Sequence, residues 1–219
     1  MESTVKLHVW GDYACFTRPD LKVERVSYDC ITPSAACGVL QAIHWKPAIR
    51  WVVDKIHVLK PIRFQSIQIN EIKSKASTMA AKRAMRSGDT NLVCNEITGD
   101  RAQRSALVLR DVSYVIEAHF EMTNKAGPDD NPGKHADIFR RRARKGQCFK
   151  QPCLGLRDFS ASLELVDEAP VSALADTERE LGLMLYEFDY EQRLPAFFRA
   201  HMTDGILDIA GARAEGLLR

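Results

Sequence analysis

Segments with two different hydrophobic periods follow one another along this chain, and their order constrains the fold more than any other feature. Apolar residues alternate with polar ones over residues 5–9, which is the period of a half-buried strand, and this strand is predicted to end at Gly11. Thr32 and Pro33 then form a helix start, because a hydroxyl side chain caps the first turn and proline fits within it. Helical apolar spacing continues as far as Trp45. A strand and then a helix are therefore predicted.

Two segments rich in valine and isoleucine follow the helix, over residues 49–59 and 62–72. Both have strand character and a short connection through Pro61 separates them, so they are predicted to form an antiparallel pair. Residues 73–104 carry little sustained apolar period and are predicted to form a mobile insertion. Within it, residues 79–85 could form a short helix.

Strand character resumes after the insertion, over residues 105–109 and 112–122, with a break predicted at Asp111. A second helix is predicted over residues 134–145, because apolar positions recur there and a glycine follows. Residues 159–166 are predicted to form the next strand.

The end of the chain is predicted to form a smaller unit. Residues 167–180 have the composition of a linker, and residues 183–190 and 206–209 have strand character. A loop through Pro195 is predicted to join these two strands.

The order of strand, helix, strands, helix and strand is compatible with a ferredoxin-like core that carries insertions. The predicted class is therefore α+β. The predicted domains are residues 1–166, which form the ferredoxin-like unit, and residues 167–219, which form the linker and a small antiparallel C-terminal β-sheet.

Composition places the chain among folded, soluble proteins, since 45% of its 219 residues are hydrophobic and 27% are charged. The formal net charge is only +2, so any attraction to nucleic acid must come from a local cluster of charge. Residues 134–150 hold such a cluster, with Asp137 as their single acid. Its basic members are Lys134, Arg140, Arg141, Arg142, Arg144, Lys145 and Lys150.

The six cysteines form no CxxC pair, and no paired histidines stand at zinc spacing, so no metal site is predicted and the thiols are expected to be reduced. No apolar run is long enough to span a bilayer, and no basic leader precedes an apolar segment. The predicted location is the cytoplasm, without membrane contact.

Four motifs carry a resemblance to a known family. They are GDYACFTRP at residues 11–19, HWKPAIRW at 44–51, PGKH at 132–135 and CFKQPCLGLRDF at 148–159. In this order and spacing they resemble the CRISPR-associated Cas-five family of the RAMP superfamily, in the form found in subtype I-C systems. The resemblance covers roughly the first three quarters of the chain and implies an RRM-like, ferredoxin-like fold with a small C-terminal sheet.

The resemblance also implies an activity. It implies a metal-independent endoribonuclease, with no cofactor, that cuts repeat hairpins in precursor CRISPR RNA by attack of a ribose 2′-OH and leaves a 2′,3′-cyclic phosphate. The protein would then remain on the 5′ handle as a subunit of the subtype I-C surveillance complex. The alternative is a non-catalytic scaffold that binds the handle, and a further possibility adds binding of double-stranded DNA through phosphate contacts.

Three residues match the family's catalytic positions. Lys134 and His135 match its adjacent lysine and histidine, while His44 stands where the family usually has tyrosine. Two imidazoles and an ammonium group could supply a base, an acid and a cation for the charged phosphorane, although the sequence does not assign the two histidine roles. The structural alternative for His44 is a favourable interaction with a helix C-terminus.

Basic and aromatic side chains near these motifs are predicted to bind RNA. The basic candidates are Lys46, Arg140, Arg141, Arg142, Arg144, Lys145 and Lys150. The run on the second helix could instead be a solvated helix face. Tyr13 and Phe16 could stack on unpaired bases, with core packing at least as plausible for Phe16, whereas Trp45 and Trp51 are assigned to the core.

Overall fold

The computed structural model describes residues 4–21, 23–94, 97–189, 192 and 194–216, and within these ranges nine strands form one sheet. The strands are β1 (Val5–Ala14), β2 (Arg25–Val26), β3 (Ile49–Val58), β4 (Phe64–Ile72), β5 (Arg101–Met122), β6 (Ser162–Leu165), β7 (Glu178–Asp189), β8 (Leu194–Thr203) and β9 (Ile206–Asp208). The helices are α1 (Pro33–Ile43), α2 (Thr78–Ser87), α3 (Pro132–Arg144) and α4 (Ile209–Ala214), with a 3-10 turn at Thr90–Val93. The architecture is α+β and mostly antiparallel.

The centre of the sheet has the order β6-β1-β5-β3, and each neighbouring pair in it is antiparallel. The core lies on one face of these strands, where alternate side chains such as Leu7 and Ile116 are buried. Leu40 of α1 and Phe139 of α3 pack into the same core. The two helices are therefore held against one face of the central strands.

Local sequence explains where α1 begins and ends. Thr32 accepts a hydrogen bond from the backbone N–H of Ala35 at 3.2 Å, and Pro33 occupies the first turn, as predicted. The helix ends at Ile43, two residues before the predicted end, because His44 has an extended backbone (φ −150°, ψ 118°). The predicted second helix is also confirmed, as α3.

The predicted pairing of the strands at residues 49–59 and 62–72 is wrong. β5 is 22 residues long, and it pairs with β3 through its second half and with β4 through its first half. Asp111, between the halves, has a positive φ of 53° where a break was predicted. β3 and β4 therefore lie end to end along β5 instead of side by side.

The predicted loop through Pro195 is also wrong, because Pro195 lies in β8 and opposes Phe188 of β7. Proline is tolerated there because β9 pairs with β8 only at the other end of that strand. β9 also pairs with β3, so the C-terminal strands join the central sheet. The domain boundary after residue 166 stays a prediction, and residues 190 and 217–219 lie outside the described residues.

The insertion at residues 73–104 contains the expected helix, as α2, although strand β5 already begins at Arg101. The strand predicted at residues 159–166 is present in shorter form as β6. Strand β2 and helix α4 were not predicted. Among the described helices, none is both long and apolar enough to cross a membrane.

Candidate active site

The two histidines singled out in the sequence meet where α1 ends and α3 begins. Nε2 of His44 lies 3.0 Å from Nδ1 of His135, and the rings stack with centroids 5.3 Å apart and planes inclined by 29°. Each residue is only 1% exposed. The Phe120 ring makes an edge contact with His135, with the centroids 6.3 Å apart. Two motifs that are 91 residues apart in the chain therefore form one buried pair.

The end of α1 organises this region because the last carbonyls of a helix have no partners within it. The carbonyl of Ala42 accepts from the backbone N–H groups of Phe149 at 2.8 Å and of Lys150 at 3.3 Å. The carbonyl of Ile43 accepts from Nη1 of Arg142 at 2.9 Å. These bonds hold α3 and the segment after it against the end of α1.

The start of α3 sets the position of His135. The side chain of Asn131 caps the helix by accepting a hydrogen bond from the N–H of Lys134 at 2.9 Å, and Pro132 occupies the first turn. His135 then falls on the buried face of the helix, together with Phe139. The neighbouring Lys134 is exposed, and its Nζ donates a hydrogen bond to the carbonyl of Asp129 at 3.1 Å.

Asp130 is a site residue that the sequence analysis missed. Its Oδ1 lies 3.2 Å from Nε2 of His135, without hydrogen-bond geometry, and 3.8 Å from Nζ of Lys134. Its other oxygen accepts a hydrogen bond from the N–H of Gly127 at 3.0 Å. The only sequence signal was a carboxylate a few residues before the GKH motif, inside a stretch predicted as a turn-rich loop.

The electrostatics differ between the two ends of this arrangement. Burial, the neighbouring His135 and the positive charges of Arg142 and Lys46 lower the pKa of His44 to about 4. The N–H of Gly127 and the positive charge of Lys134 lower the pKa of Asp130. At neutral pH, His44 is therefore an uncharged imidazole and Asp130 is a carboxylate.

These charge states favour one arrangement of hydrogens. A carboxylate beside Nε2 of His135 favours the tautomer with hydrogen on that nitrogen, so Nδ1 of His135 accepts from Nε2 of His44. The lone pair of His44 then lies on Nδ1, which is buried without a hydrogen-bond partner among the described residues. Such an atom is a proton acceptor kept free of competing donors.

The predicted RNA-binding residues separate into two groups. The exposed cations are Lys46, Arg141, Arg144, Lys145 and Lys150. Arg140 and Arg142 are half-buried, and Arg142 is committed to the Ile43 carbonyl. Tyr13 is partly exposed and packs against Phe159.

The aromatic predictions had mixed outcomes. Phe16 is 3% exposed and makes an edge contact with Tyr114, so it packs in the core. Trp51 is buried, as predicted, and its Nε1 donates to the carbonyl of His44 at 2.9 Å. The prediction for Trp45 is wrong, since that side chain is 55% exposed.

Within the described ranges, no group of three His, Cys, Asp or Glu side chains could hold a metal ion.

The sequence matches the model of a family described as CRISPR-associated protein (Cas_Cas5) over residues 4–209. The chain belongs to the Cas5 family. It is 53% identical, over all of both chains, to a Mannheimia succiniciproducens protein named CRISPR pre-crRNA endoribonuclease Cas5d. A Thermus thermophilus protein of the same name is 35% identical over 98% of this chain and 95% of its own length. The predicted membership, of the subtype I-C kind, is thereby confirmed.

A solved structure shares the fold of this Cas5 chain. It is described as the crystal structure of a CRISPR-associated protein, and it superimposes with a TM-score of 0.71 over 99% of this chain and 96% of its own. Its sequence identity is 23%, so the likeness concerns the fold alone.

Proposed function

We propose that this Cas5 protein is an endoribonuclease that cuts repeat hairpins in precursor CRISPR RNA, without a metal ion, by attack of a ribose 2′-OH on the adjacent phosphate. The 3.0 Å contact between the buried rings of His44 and His135, beside the ammonium group of Lys134, carries this proposal. Two relatives that match over nearly the whole chain are named CRISPR pre-crRNA endoribonuclease Cas5d, which supports the activity.

The reaction needs three groups. A base takes the proton of the 2′-OH as its oxygen bonds to phosphorus, and the bond from phosphorus to the 5′-oxygen breaks as that oxygen gains a proton. A cation stabilises the negative charge of the phosphorane between these steps. The products are a 2′,3′-cyclic phosphate and a free 5′-hydroxyl.

The electrostatics suggest which group takes which role. His44 is uncharged at neutral pH and has a free lone pair, so we assign it the role of base. His135 gives the proton on its Nε2 to the leaving oxygen and takes one at Nδ1 from Nε2 of His44, so both rings end neutral once Nδ1 of His44 holds the proton of the 2′-OH. Lys134 stabilises the phosphorane. Both imidazoles are buried in the free protein, so neighbouring side chains must move when RNA binds.

Asp130 is proposed as a positioning residue that holds His135 in the tautomer described above. Replacing Asp130 by Asn should lower the cleavage rate about tenfold, less than the loss of a proton-transfer group itself, with little change in RNA affinity. Asp129→Asn is the matched control, because the neighbouring residue offers Lys134 only its backbone carbonyl. Equal rates for the two variants would remove Asp130 from the site.

The remaining parts of the proposal concern context. The order β6-β1-β5-β3, with α1 and α3 on one face, supports a ferredoxin-like core, since it places the fourth and third strands of a βαββαβ unit on either side of the first. After cleavage the protein would stay on the 5′ handle with other subunits of the surveillance complex, in the cytoplasm. The exposed cations of α3 would also tolerate double-stranded DNA.

The test is cleavage of the cognate repeat hairpin RNA in EDTA, with analysis of the product ends. Wild type should make a single cut that leaves a cyclic phosphate, and His135→Ala and His44→Ala should each lower the rate about 10²–10⁴-fold while RNA binding persists. His119→Ala is the control, because that imidazole pairs with Asp54 on a central strand away from the site. His44→Tyr restores the residue usual in the family and should keep activity.

Two outcomes would contradict this proposal, the first for the activity and the second for the site. Tight binding by wild type with no cut would leave the alternative, a scaffold that binds the handle. A cut that continues unchanged in His135→Ala would place the chemistry elsewhere in the molecule.

A further inference from the structure

Two aromatic side chains lie in solvent beside the site, although neither was predicted to. Phe149 is 90% exposed and Trp45 is 55% exposed. Leaving large apolar rings in water forgoes the stabilisation that burial would give, so a pair of them next to a functional site calls for a ligand.

Both rings stand on backbone that is fixed to the same helix end. The N–H of Phe149 donates to the carbonyl of Ala42 in the last turn of α1. Trp45 follows the residue that caps that helix, whose own N–H donates to Leu40. A turn bond from Ile49 to the carbonyl of Lys46 holds the next step of the chain. The backbone that carries the two rings is therefore held at a set position, which lowers the entropy lost on binding.

The chemistry around the rings is basic. Lys46 follows Trp45, and Lys150 follows Phe149, and both side chains are exposed. The basic end of α3 carries Arg144 and Lys145. The chain turns just after it, at Gly146 (φ 62°), and then leads to Phe149. Asp137 is the single acid between residues 134 and 150. Flat apolar faces among cations match nucleobases on a phosphate backbone better than an apolar protein surface.

We propose that Trp45 and Phe149 form a stacking site for unpaired nucleobases of the RNA, next to the phosphate that is cut. That the rings lie next to the cut phosphate rests on the proposed function. Bases can stack on these rings only where they are unpaired, so the ligand is a single-stranded segment at the edge of the hairpin. Stacking is tolerant of sequence, and the site therefore sets the register of the RNA and not the identity of a base.

The experiment measures binding of a repeat RNA that carries a 2′-deoxy nucleotide at the mapped cleavage position, so that it cannot be cut. Phe149→Ala and Trp45→Ala should each raise Kd about tenfold, and Phe149→Tyr should remain within about twofold of wild type. Val171→Ala is the matched control, since Val171 is an apolar side chain that is 89% exposed on the linker before β7. Thermal unfolding by circular dichroism establishes that each variant is folded.

Salt dependence separates stacking from charge. Phe149→Ala should leave the slope of log Kd against log salt unchanged, because a phenyl ring neutralises no phosphate. Lys150→Ala should reduce that slope by about one. An equal fall in slope for both variants would show that Phe149 acts only by holding the lysine, and would overturn the stacking site.

Abasic RNAs identify the contact. A set of RNAs, each lacking one base around the hairpin edge, should include a position whose loss weakens wild type about tenfold but leaves Phe149→Ala unaffected. If the effects of the missing base and of Phe149→Ala on the binding free energy simply added at every position, the proposal would be overturned. An unchanged Kd for both alanine variants would also overturn it. If these variants then failed to bind the other subunits, the rings would be a protein contact. Ring-dependent binding by a wild type that does not cut would contradict the nuclease alone.

Discussion

Burial of His44 makes the stability of the protein depend on pH. The folded pKa is about 4, below the ordinary value of 6.5, so between these values the unfolded chain holds a proton that the folded chain does not. The stability contributed by the neutral ring is complete above pH 6.5 and is lost as pH falls toward 4. We expect the free energy of unfolding to fall by about 3 kcal/mol over that range through this group, measured by urea unfolding at several pH values.

His44→Gln is the control for this prediction, because an amide of similar reach does not titrate. The difference in unfolding free energy between wild type and His44→Gln should change with pH between 6.5 and about 4 and be constant above 6.5. A constant difference over the whole range would mean that His44 takes up its proton as easily in the folded protein as in the unfolded chain.

At the scale of single residues, the sequence predicted which two histidines meet better than it predicted the burial of the side chains near them. His44 and His135 could be paired only through motif resemblance, since nothing in the periodicity joins a helix end to a helix start so far along the chain. Trp45 was misplaced because the helix was extended past Ile43. Successive side chains of an extended backbone point to opposite sides, so the burial of His44 turns Trp45 outward.

At the scale of elements, α3 divides its arginines between structure and surface. Arg142 donates to Ile43, and its loss would leave that carbonyl without its partner, so Arg142→Ala should lower the free energy of unfolding by about 1–2 kcal/mol. The double variant Arg141→Ala/Arg144→Ala removes exposed charges and should stay within about 0.5 kcal/mol of wild type. Chemical unfolding measures both.

The same variants should differ in the opposite sense toward RNA. The double variant should weaken binding and reduce the slope of log Kd against log salt by about two, because two phosphate contacts are lost. If only the double variant lost stability, or if only Arg142→Ala changed the salt slope, the assignment of Arg142 to structure and of Arg141 and Arg144 to RNA binding would be reversed.

Periodicity predicted the existence of most strands but not their partners. The pattern around Pro61 is that of two strands paired with each other. Instead, β3 pairs with one half of the 22-residue β5 and β4 pairs with the other half. Asp111, with its positive φ, lies between the two halves. Proline in a strand argues against pairing on both sides, so the sequence predicts a loop at Pro195. It is accommodated in β8 because only one neighbour pairs there, which depends on tertiary context.

At the scale of the whole molecule, the first and the last of the four motifs also meet in space. The N–H of Cys15, just after β1, donates to the carbonyl of Leu154 at 2.9 Å. Gly155 has φ +88°, and a Cβ there would lie 2.0 Å from the carbonyl oxygen of Cys15. The glycine is therefore needed both for its conformation and for its lack of a side chain. This contact fixes the segment that begins at Phe149 to the first strand of the sheet.

Gly155→Ala should consequently destabilise the protein by about 3 kcal/mol or more, since backbone strain and a clash with main chain add together. Gly38→Ala is the matched control. Gly38 lies inside α1, and beyond its chain neighbours and helix backbone no described atom is within 4 Å of an added Cβ, so alanine there should stabilise by about 0.5–1 kcal/mol. Urea unfolding of both variants gives the comparison. Equal stability of the two would mean that the loop yields easily at Gly155, and that the first strand does not hold the segment that begins at Phe149 in place.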